Sequence, residues 1–313
     1  ELLGLASTKK SVLKITQQNP LIPVLQNFRA WDHARKGFYT PFLRHIKPDG
    51  RIHCRLNQIG TISGRLSASS PNMQGLAKEH EEYHARETVV APEGCAILAC
   101  DYSQIELRIL AYYTQSPFLL RVYADDRLDL HGETAKLVGI DRDIAKRVNF
   151  GSTYGIGSLA LAELLGIPVT ESERILERYH RRIPEVKQVY HLMKRTAERE
   201  KHIVMWTGRR RHYGPVDEFQ KALSNLIQGG VGEIVRIAIS RLHKLLRGLN
   251  VRMFLQVHDE ILFEGPEDEL LEVAPGISRT MEDFQFTNVP IRTEMKIGPN
   301  WGNLRKLEGV NAT

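Results

Sequence analysis

Residues 252–268 read RMFLQVHDEILFEGPED, which is two short apolar runs around the polar pair His258 and Asp259. Short apolar runs bounded by turn-forming residues are typical of buried strands, and the tight polar break between them predicts a β-hairpin. The segment CAILACDYS (95–103) predicts another buried strand that ends near an acid. A further strand is predicted in IRTEMKIGPNW (291–301), near the end of the chain.

Helical periodicity dominates the sequence between these strands, from Gln104 to about Leu246. Residues 1–46, which include STKKSVLKI, also have a helical pattern. Strands at both ends with helices between them predict an α+β chain that contains a large helical insertion. The charged segment KEHEEYHARE (78–87) is interpreted as a solvated surface segment.

The composition is that of a globular protein, with 42% apolar and 26% charged residues among 313. The formal net charge of +6 favours a polyanionic partner. Because no segment has the pattern of a membrane span or a signal peptide, we expect a cytoplasmic protein without membrane contact. Three cysteines outside any CxxC pattern argue for reduced thiols and against a zinc site. Since the first residue is Glu1 rather than Met, our hypothesis is that the chain is a fragment of a longer protein.

Two acids follow apolar segments that a sheet would bury, namely Asp101 and Asp259. We expect both to emerge at one edge of the sheet, where a pair of carboxylates can hold Mg²⁺. Two such ions about 4 Å apart can activate an attacking oxygen and stabilise a leaving one. The alternative is that each acid is a turn-favouring residue and that the two share no site.

The segment RDIAKRVNFGSTYGIG (142–157) places Arg142, Lys146, Phe150 and Tyr154 four residues apart, on nearly one helix face. Arginine and lysine can clamp a triphosphate, while the aromatic rings can pack on a sugar and a base. This order of side chains matches the parts of a nucleoside triphosphate. The alternative is an amphipathic coincidence on a surface helix.

Three segments resemble the motifs of the bacterial DNA polymerase I family (family A polymerases), in family order. They are DYSQIELR (101–108) for motif A, RDIAKRVNFGSTYG (142–155) for motif B and QVHDE (256–260) for motif C. Four more segments are similar to the family: SGRLSASSPNMQ (63–74), DLHGETA (129–135), TGRRR (207–211) and IQGGVGEI (227–234). The resemblance extends from about residue 5 to Trp301.

This resemblance implies a right-hand polymerase fold, in which an antiparallel palm sheet carries the catalytic carboxylates and the fingers are a helical insertion. The implied division is a partial thumb at 1–46, a first part of the palm at 47–107, fingers at 108–248 and a second part of the palm at 249–313. No proofreading or 5′-nuclease domain is expected in this chain.

The resemblance also implies a function, which is DNA-templated DNA synthesis in replication or repair. A primer 3′-oxygen would attack the α-phosphate of a dNTP and release pyrophosphate. Asp101, Asp259 and the Tyr102 carbonyl are implied to bind two Mg²⁺ ions, for which Mn²⁺ can substitute. Lys146 is implied to be a general acid, and Glu260 an auxiliary catalytic acid.

The family's substrate contacts match residues of this sequence. The implied dNTP-binding residues are Gln104, Glu106, His131, Arg142, Lys146, Phe150 and Tyr154. Glu106 would exclude a ribose 2′-hydroxyl, and Phe150 fits members that discriminate against chain terminators. The implied DNA-binding residues are Arg65, Asn72, Gln74, Arg209, Gln228 and His258. Arg65 and Gln228 would donate to minor-groove acceptors that every base pair presents.

The sequence departs from the family pattern at three points. GLAKEH follows PNMQ where the family has Asn-Ile-Pro, Ser224 stands for an asparagine, and Gln220 stands for an arginine. These changes affect the expected template contacts and leave lesion-bypass synthesis open as a specialisation.

Two other functions are weighed against DNA synthesis. Glu106 and Phe150 argue against a single-subunit RNA polymerase, and the presence of Asp101, Asp259 and Lys146 argues against a catalytically silent nucleic-acid-binding protein. The expected partners are primer–template DNA, dNTPs and an accessory replication or processivity protein, and the chain is expected to act as a monomer. Nucleoid association is expected if the source is bacterial or phage, and an organellar location is left open.

Overall fold

The computed structural model describes residues 19–76, 83–284 and 288–308. Its strands are, in chain order, β1 (Arg55–Asn57), β2 (Ser67–Ser69), β3 (Cys95–Tyr102), β4 (His202–Val204), β5 (Arg210–His212), β6 (Arg252–Val257), β7 (Glu260–Pro266), β8 (Thr293–Gly298) and β9 (Arg305–Lys306). Its α-helices are α1 (Leu21–Ala34), α2 (Thr40–His45), α3 (Ile105–Thr114), α4 (Pro117–Ala124), α5 (Leu130–Val138), α6 (Arg142–Thr153), α7 (Ser158–Leu165), α8 (Val169–Arg182), α9 (Pro184–Glu200), α10 (Ala222–Leu245) and α11 (Glu267–Glu282).

A π-helical turn at Arg35–Tyr39 joins α1 to α2, so the predicted helical pattern is confirmed in this part of the N-terminal region. The predicted helical segment STKKSVLKI lies outside the described residues. Over the three described ranges, no helix is both long and apolar enough to cross a membrane.

Five strands form one antiparallel sheet in the order β6-β7-β3-β8-β9, which confirms the predicted α+β class. The central strand β3 alternates its side chains between two apolar layers. Leu98 and Cys100 pack against the helices on one face, whereas Ile97 and Ala99 share the other layer with Trp301. Because both faces of β3 are buried, its sequence is a continuous apolar run rather than an alternating one.

The helices α3 to α10 lie between β3 and β6 in the chain, as the sequence predicts. In α10, a Cβ atom at Gly232 would lie 3.3 Å from the backbone of Gly64, so glycine permits this close approach. The antiparallel hairpin of β4 and β5 interrupts the helices and was not predicted. Its strands have three residues each, too few for an alternating pattern to be recognised.

The interpretation of the charged segment 78–87 as solvated surface is wrong for Tyr83 and Ala85, whereas His84 and Glu87 are exposed as predicted. Tyr83 and Ala85 are buried, and they belong to the apolar layer under β3 together with Phe38. Ala85 begins a 3-10 turn, Ala85–Thr88, and is the buried residue of that turn. Residues 78–82 lie outside the description.

Candidate active site

The turn between β6 and β7 consists of the two residues His258 and Asp259. His258 has a φ of 56°, the left-handed conformation that two-residue hairpin turns use. The adjacent strand β3 places Asp101 directly opposite Glu260, and the Tyr102 N–H donates to the Asp259 carbonyl oxygen at 3.2 Å. The structure therefore brings the two predicted acids together at one edge of the sheet, where β3 ends and β7 begins.

Asp101 and Asp259 line the same pocket, which has a volume of about 680 Å³. Burial raises the pKa of Asp259, with Arg65 opposing and Glu106 adding to this shift. A carboxylate in such surroundings gains from a nearby cation. Within the described ranges, no group of three or more His, Cys, Asp or Glu side chains is arranged to hold a metal. Two carboxylates fit a hard divalent cation that completes its shell with water and phosphate oxygens.

The third acid at this edge, Glu260, has partners that the sequence analysis missed. Its Oε2 lies 3.5 Å from Arg86 Nη1 and accepts a hydrogen bond from Trp301 Nε1 at 3.2 Å. The Arg86 guanidinium stacks 3.9 Å from the centre of the Trp301 ring. No motif signalled these partners, because Arg86 lies in the charged segment and Trp301 near the end of the resemblance.

The helix α6 begins after Asp141, whose side chain accepts a hydrogen bond from the Asp143 N–H and caps the helix. Lys146, Phe150 and Tyr154 line one pocket of about 580 Å³. The helix ends one residue before Tyr154. Three of the four stripe residues thus share a surface that suits a phosphate, a sugar and a base.

Arg142, the fourth stripe residue, lies at the start of α6 and is exposed. Its Nε donates to Asp129 Oδ2 at 2.7 Å, and the same oxygen accepts the Gly132 N–H and so caps α5. Asp129 raises the pKa of Arg142, which keeps the guanidinium charged. A triphosphate at this end of α6 would compete with Asp129 for Arg142.

His131 lies in α5 and is held by a buried polar network. Its Nδ1 is 3.1 Å from Asn149 Nδ2, and Asn149 also contacts the Thr134 hydroxyl. The His131 ring is 5.7 Å from the Phe150 ring. Burial lowers the pKa of His131, with Arg142 adding to the shift and Asp129 opposing it. Asn149, which contacts this imidazole, is a functional candidate that the sequence analysis did not identify.

Glu106, in α3, joins Arg65 to Tyr154 through its two carboxylate oxygens. Arg65 Nη2 donates to Oε1 at 2.6 Å, and the Tyr154 hydroxyl donates to Oε2 at 2.7 Å. Gln104 immediately precedes α3, the helix that carries Glu106. It has a left-handed backbone conformation and accepts a hydrogen bond from the Tyr123 hydroxyl. The predicted sugar-contact residue is thus held between Arg65, which precedes β2, and Tyr154 at the end of α6.

Several predicted DNA contacts make hydrogen bonds inside the protein. Gln74 donates to the Gln256 carbonyl at 3.0 Å and accepts from the Ala68 N–H, while the Asn72 side chain accepts from the Gln74 N–H. Arg209 Nη1 donates to the Ser63 carbonyl at 3.0 Å. These bonds hold the 63–74 segment against β6 and the turn between β4 and β5, and DNA contact by these residues stays a prediction.

Two predicted DNA contacts remain, His258 and Gln228, together with the departure from the family pattern at Ser224. His258 is exposed at the mouth of the larger pocket. Burial raises the pKa of the Tyr154 phenol, Glu106 adds to this rise, and a hydrogen bond with Gln228 of α10 opposes it. Asn225, the residue after Ser224, donates to the Tyr213 hydroxyl at 3.0 Å and is therefore engaged with the segment that follows β5.

An antiparallel sheet with paired acids at its edge, together with a helix that carries cations and aromatic rings, is the arrangement of the right-hand polymerase fold. The chain belongs to DNA polymerase family A, whose family model matches residues 3–303. The predicted right-hand fold is confirmed by a solved structure, the POL domain of Pol1 from M. smegmatis in complex with a DNA primer-template and dNTP. The two share 28% sequence identity with a TM-score of 0.85, over 95% of this chain and 56% of the other.

Curated relatives agree with this assignment. DNA polymerase I of Synechocystis sp. is 36% identical over 334 aligned residues, which cover 95% of this chain and 34% of the relative. The thermostable DNA polymerase I of Thermus aquaticus is 31% identical, with 96% of this chain and 39% of the relative covered. The chain thus spans between a third and two fifths of these relatives. Members of this family use divalent metal ions, which the donor set at Asp101 and Asp259 fits.

Proposed function

We propose that this chain is a DNA-templated DNA polymerase that extends a primer with dNTPs, using two Mg²⁺ ions. The observation that carries the proposal is the convergence of Asp101 and Asp259 at one sheet edge, tied by the Tyr102–Asp259 hydrogen bond. The solved relative is a complex with DNA primer-template and dNTP, which supports the same partners for this chain. The basic net charge is in keeping with a polyanionic partner.

In the proposed reaction, the primer 3′-oxygen bonds to the α-phosphorus of the dNTP while the bond to pyrophosphate breaks. Divalent ions held by Asp101, Asp259 and the Tyr102 carbonyl would supply charge neutralisation at both oxygens. Arg142, Lys146 and His131 hold the triphosphate. Lys146 donates a proton to the departing pyrophosphate. Glu260, beside Asp101 and Asp259, acts as an auxiliary catalytic acid.

Selection of the sugar is assigned to Glu106, which Arg65 and Tyr154 hold in place. A side chain fixed from two sides can exclude a 2′-hydroxyl because it cannot move aside without breaking charge-assisted hydrogen bonds. This feature favours DNA over RNA synthesis. Phe150 would lie against the sugar and Tyr154 at the templating base.

The finer assignments belong to the same proposal. They are the thumb, palm and fingers boundaries given above, a cytoplasmic location, action as a monomer, an accessory processivity protein, and a role in replication or repair. Lesion bypass is tested by extension on a template that carries an abasic site.

The deciding experiment is extension of a labelled hairpin primer with Mg²⁺ and either dNTPs or rNTPs. We expect the primer to grow with dNTPs and not with rNTPs. This growth should be lost in Asp259→Asn and kept in the surface control Asp268→Asn. Growth with rNTPs would favour an RNA polymerase. Duplex binding without growth would favour the silent binding protein, and binding itself should weaken steeply with salt.

A further inference from the structure

The acid beside the proposed metal site, Glu260, occupies an electrostatically costly position. It follows Asp259 in the chain and stands directly opposite Asp101 in the register of β3 and β7. Directly opposed residues of neighbouring strands point to the same face of the sheet, where like charges destabilise the pair. Glu260 therefore requires a counter-charge whether or not it takes part in chemistry.

Arg86 supplies this counter-charge. Its Nη1 lies 3.5 Å from Glu260 Oε2, and the charge of Asp101 also acts on the same guanidinium. The side chains of Arg86 and Glu260 are only 12% and 15% exposed, so solvent screens their attraction less than that of a surface pair. All three residues line the 680 Å³ pocket.

Trp301 completes the arrangement with two contacts. Its ring lies 3.9 Å from the Arg86 guanidinium carbon, and its Nε1–H donates to Glu260 Oε2 at 3.2 Å. The Trp301 backbone N–H donates to the Val89 carbonyl at 2.9 Å, which ties the ring to the turn that carries Arg86. A guanidinium stacked on a ring has few alternative orientations.

We propose that Arg86 and Trp301 are positioning residues that keep the Glu260 carboxylate from joining the divalent-metal site. The metal is then bound by Asp101 and Asp259 as a pair. This inference rests on the metal site of the proposed function and explains why a third adjacent acid leaves the site suited to Mg²⁺. A larger number of carboxylate ligands strengthens binding and favours more accommodating cations.

The test is Mn²⁺ binding to the full chain in the absence of DNA and nucleotide. Binding is measured as the loss of the EPR signal of free Mn²⁺. Arg86→Gln should bind Mn²⁺ on the order of tenfold more tightly, because Glu260 becomes a third ligand. In the Glu260→Gln background the same substitution should have little effect. Arg86→Lys keeps the charge, so its Mn²⁺ affinity should stay near that of the parent. Trp301→Phe keeps the ring but loses the hydrogen-bond donor to Glu260, so its Mn²⁺ affinity should rise less than that of Arg86→Gln.

Arg252→Gln, on the edge strand β6, is the matched control, since it removes a cation that lies 3.6 Å from another sheet carboxylate, Glu264 of β7. Equal tightening by Arg86→Gln in both Glu260 backgrounds would overturn the inference, because a general charge effect would then suffice. No tightening in Arg86→Gln would overturn it as well. Undiminished Mn²⁺ binding in Asp259→Asn would instead contradict the metal site of the proposed function.

Discussion

The backbone N–H of Tyr102 donates to the carbonyl oxygen of Asp259 at 3.2 Å. This single hydrogen bond joins the end of the central strand to the hairpin turn of its neighbour. It fixes the backbone next to Asp101 against that of Asp259, and both side chains line the same pocket. Function at this edge therefore depends on sheet register.

Glu106 gives the first prediction. Glu106→Ala should reduce discrimination against ribonucleotides by on the order of tenfold or more, because it removes the carboxylate that we propose fills the space of a 2′-hydroxyl. The measurement is the ratio of kcat/KM for dNTP and rNTP insertion. Glu163→Ala, at an exposed position of α7, is the control. An unchanged ratio would rule out sugar selection by Glu106.

The second prediction concerns the pair of Arg142 and Asp129. Asp129→Asn retains an oxygen that can cap α5 but removes the charge that competes with a triphosphate for Arg142. The Kd for dNTP at low salt should fall about two- to fivefold, the range expected for an exposed ion pair, and the difference should shrink as salt is added. The matched control is Asp125→Asn, which breaks the nearby pair with Arg127. Weaker dNTP binding in Asp129→Asn would contradict the competition.

Asn149 gives the third prediction. Asn149→Ala leaves the buried Nδ1 of His131 and the Thr134 hydroxyl without this partner, which should lower the free energy of unfolding by about 1–3 kcal/mol. It should also weaken dNTP binding, because the imidazole loses its fixed orientation. Urea denaturation and dNTP titration measure the two effects. A stability loss with unaltered dNTP affinity would show that His131 acts only in packing.

The fourth prediction concerns stability in acid. Burial lowers the pKa of His180 to about 4, and Lys187 and His191 act in the same direction. Because the unfolded chain takes up the proton near pH 6.5 and the folded chain does not, stability should fall as the pH drops from about 6.5 to about 4. His180→Gln should remove on the order of 2 kcal/mol of this loss in urea melts at pH 4.5. The exposed His243→Gln is the control, and parallel pH profiles of His180→Gln and the parent would refute the assignment.

The sequence by itself determined the elements that depend on local pattern. The apolar run before Asp101 predicted β3, the polar pair within 252–268 predicted the β6–β7 hairpin, and the four-residue spacing from Arg142 predicted the face of α6. Period and turn chemistry are properties of neighbouring residues, so they can be recognised in a single chain.

Only the tertiary structure decided which distant side chains meet. The contacts of Glu106 with Arg65, and of Glu260 with Arg86 and Trp301, join segments that no spacing relates. Such contacts depend on strand register and on the packing of loops against the sheet, where a shift of one residue turns every side chain to the other face. For the same reason the burial of Tyr83 and Ala85 in the charged segment was not predicted. It is set by the apolar layer under β3 and not by the composition of the segment.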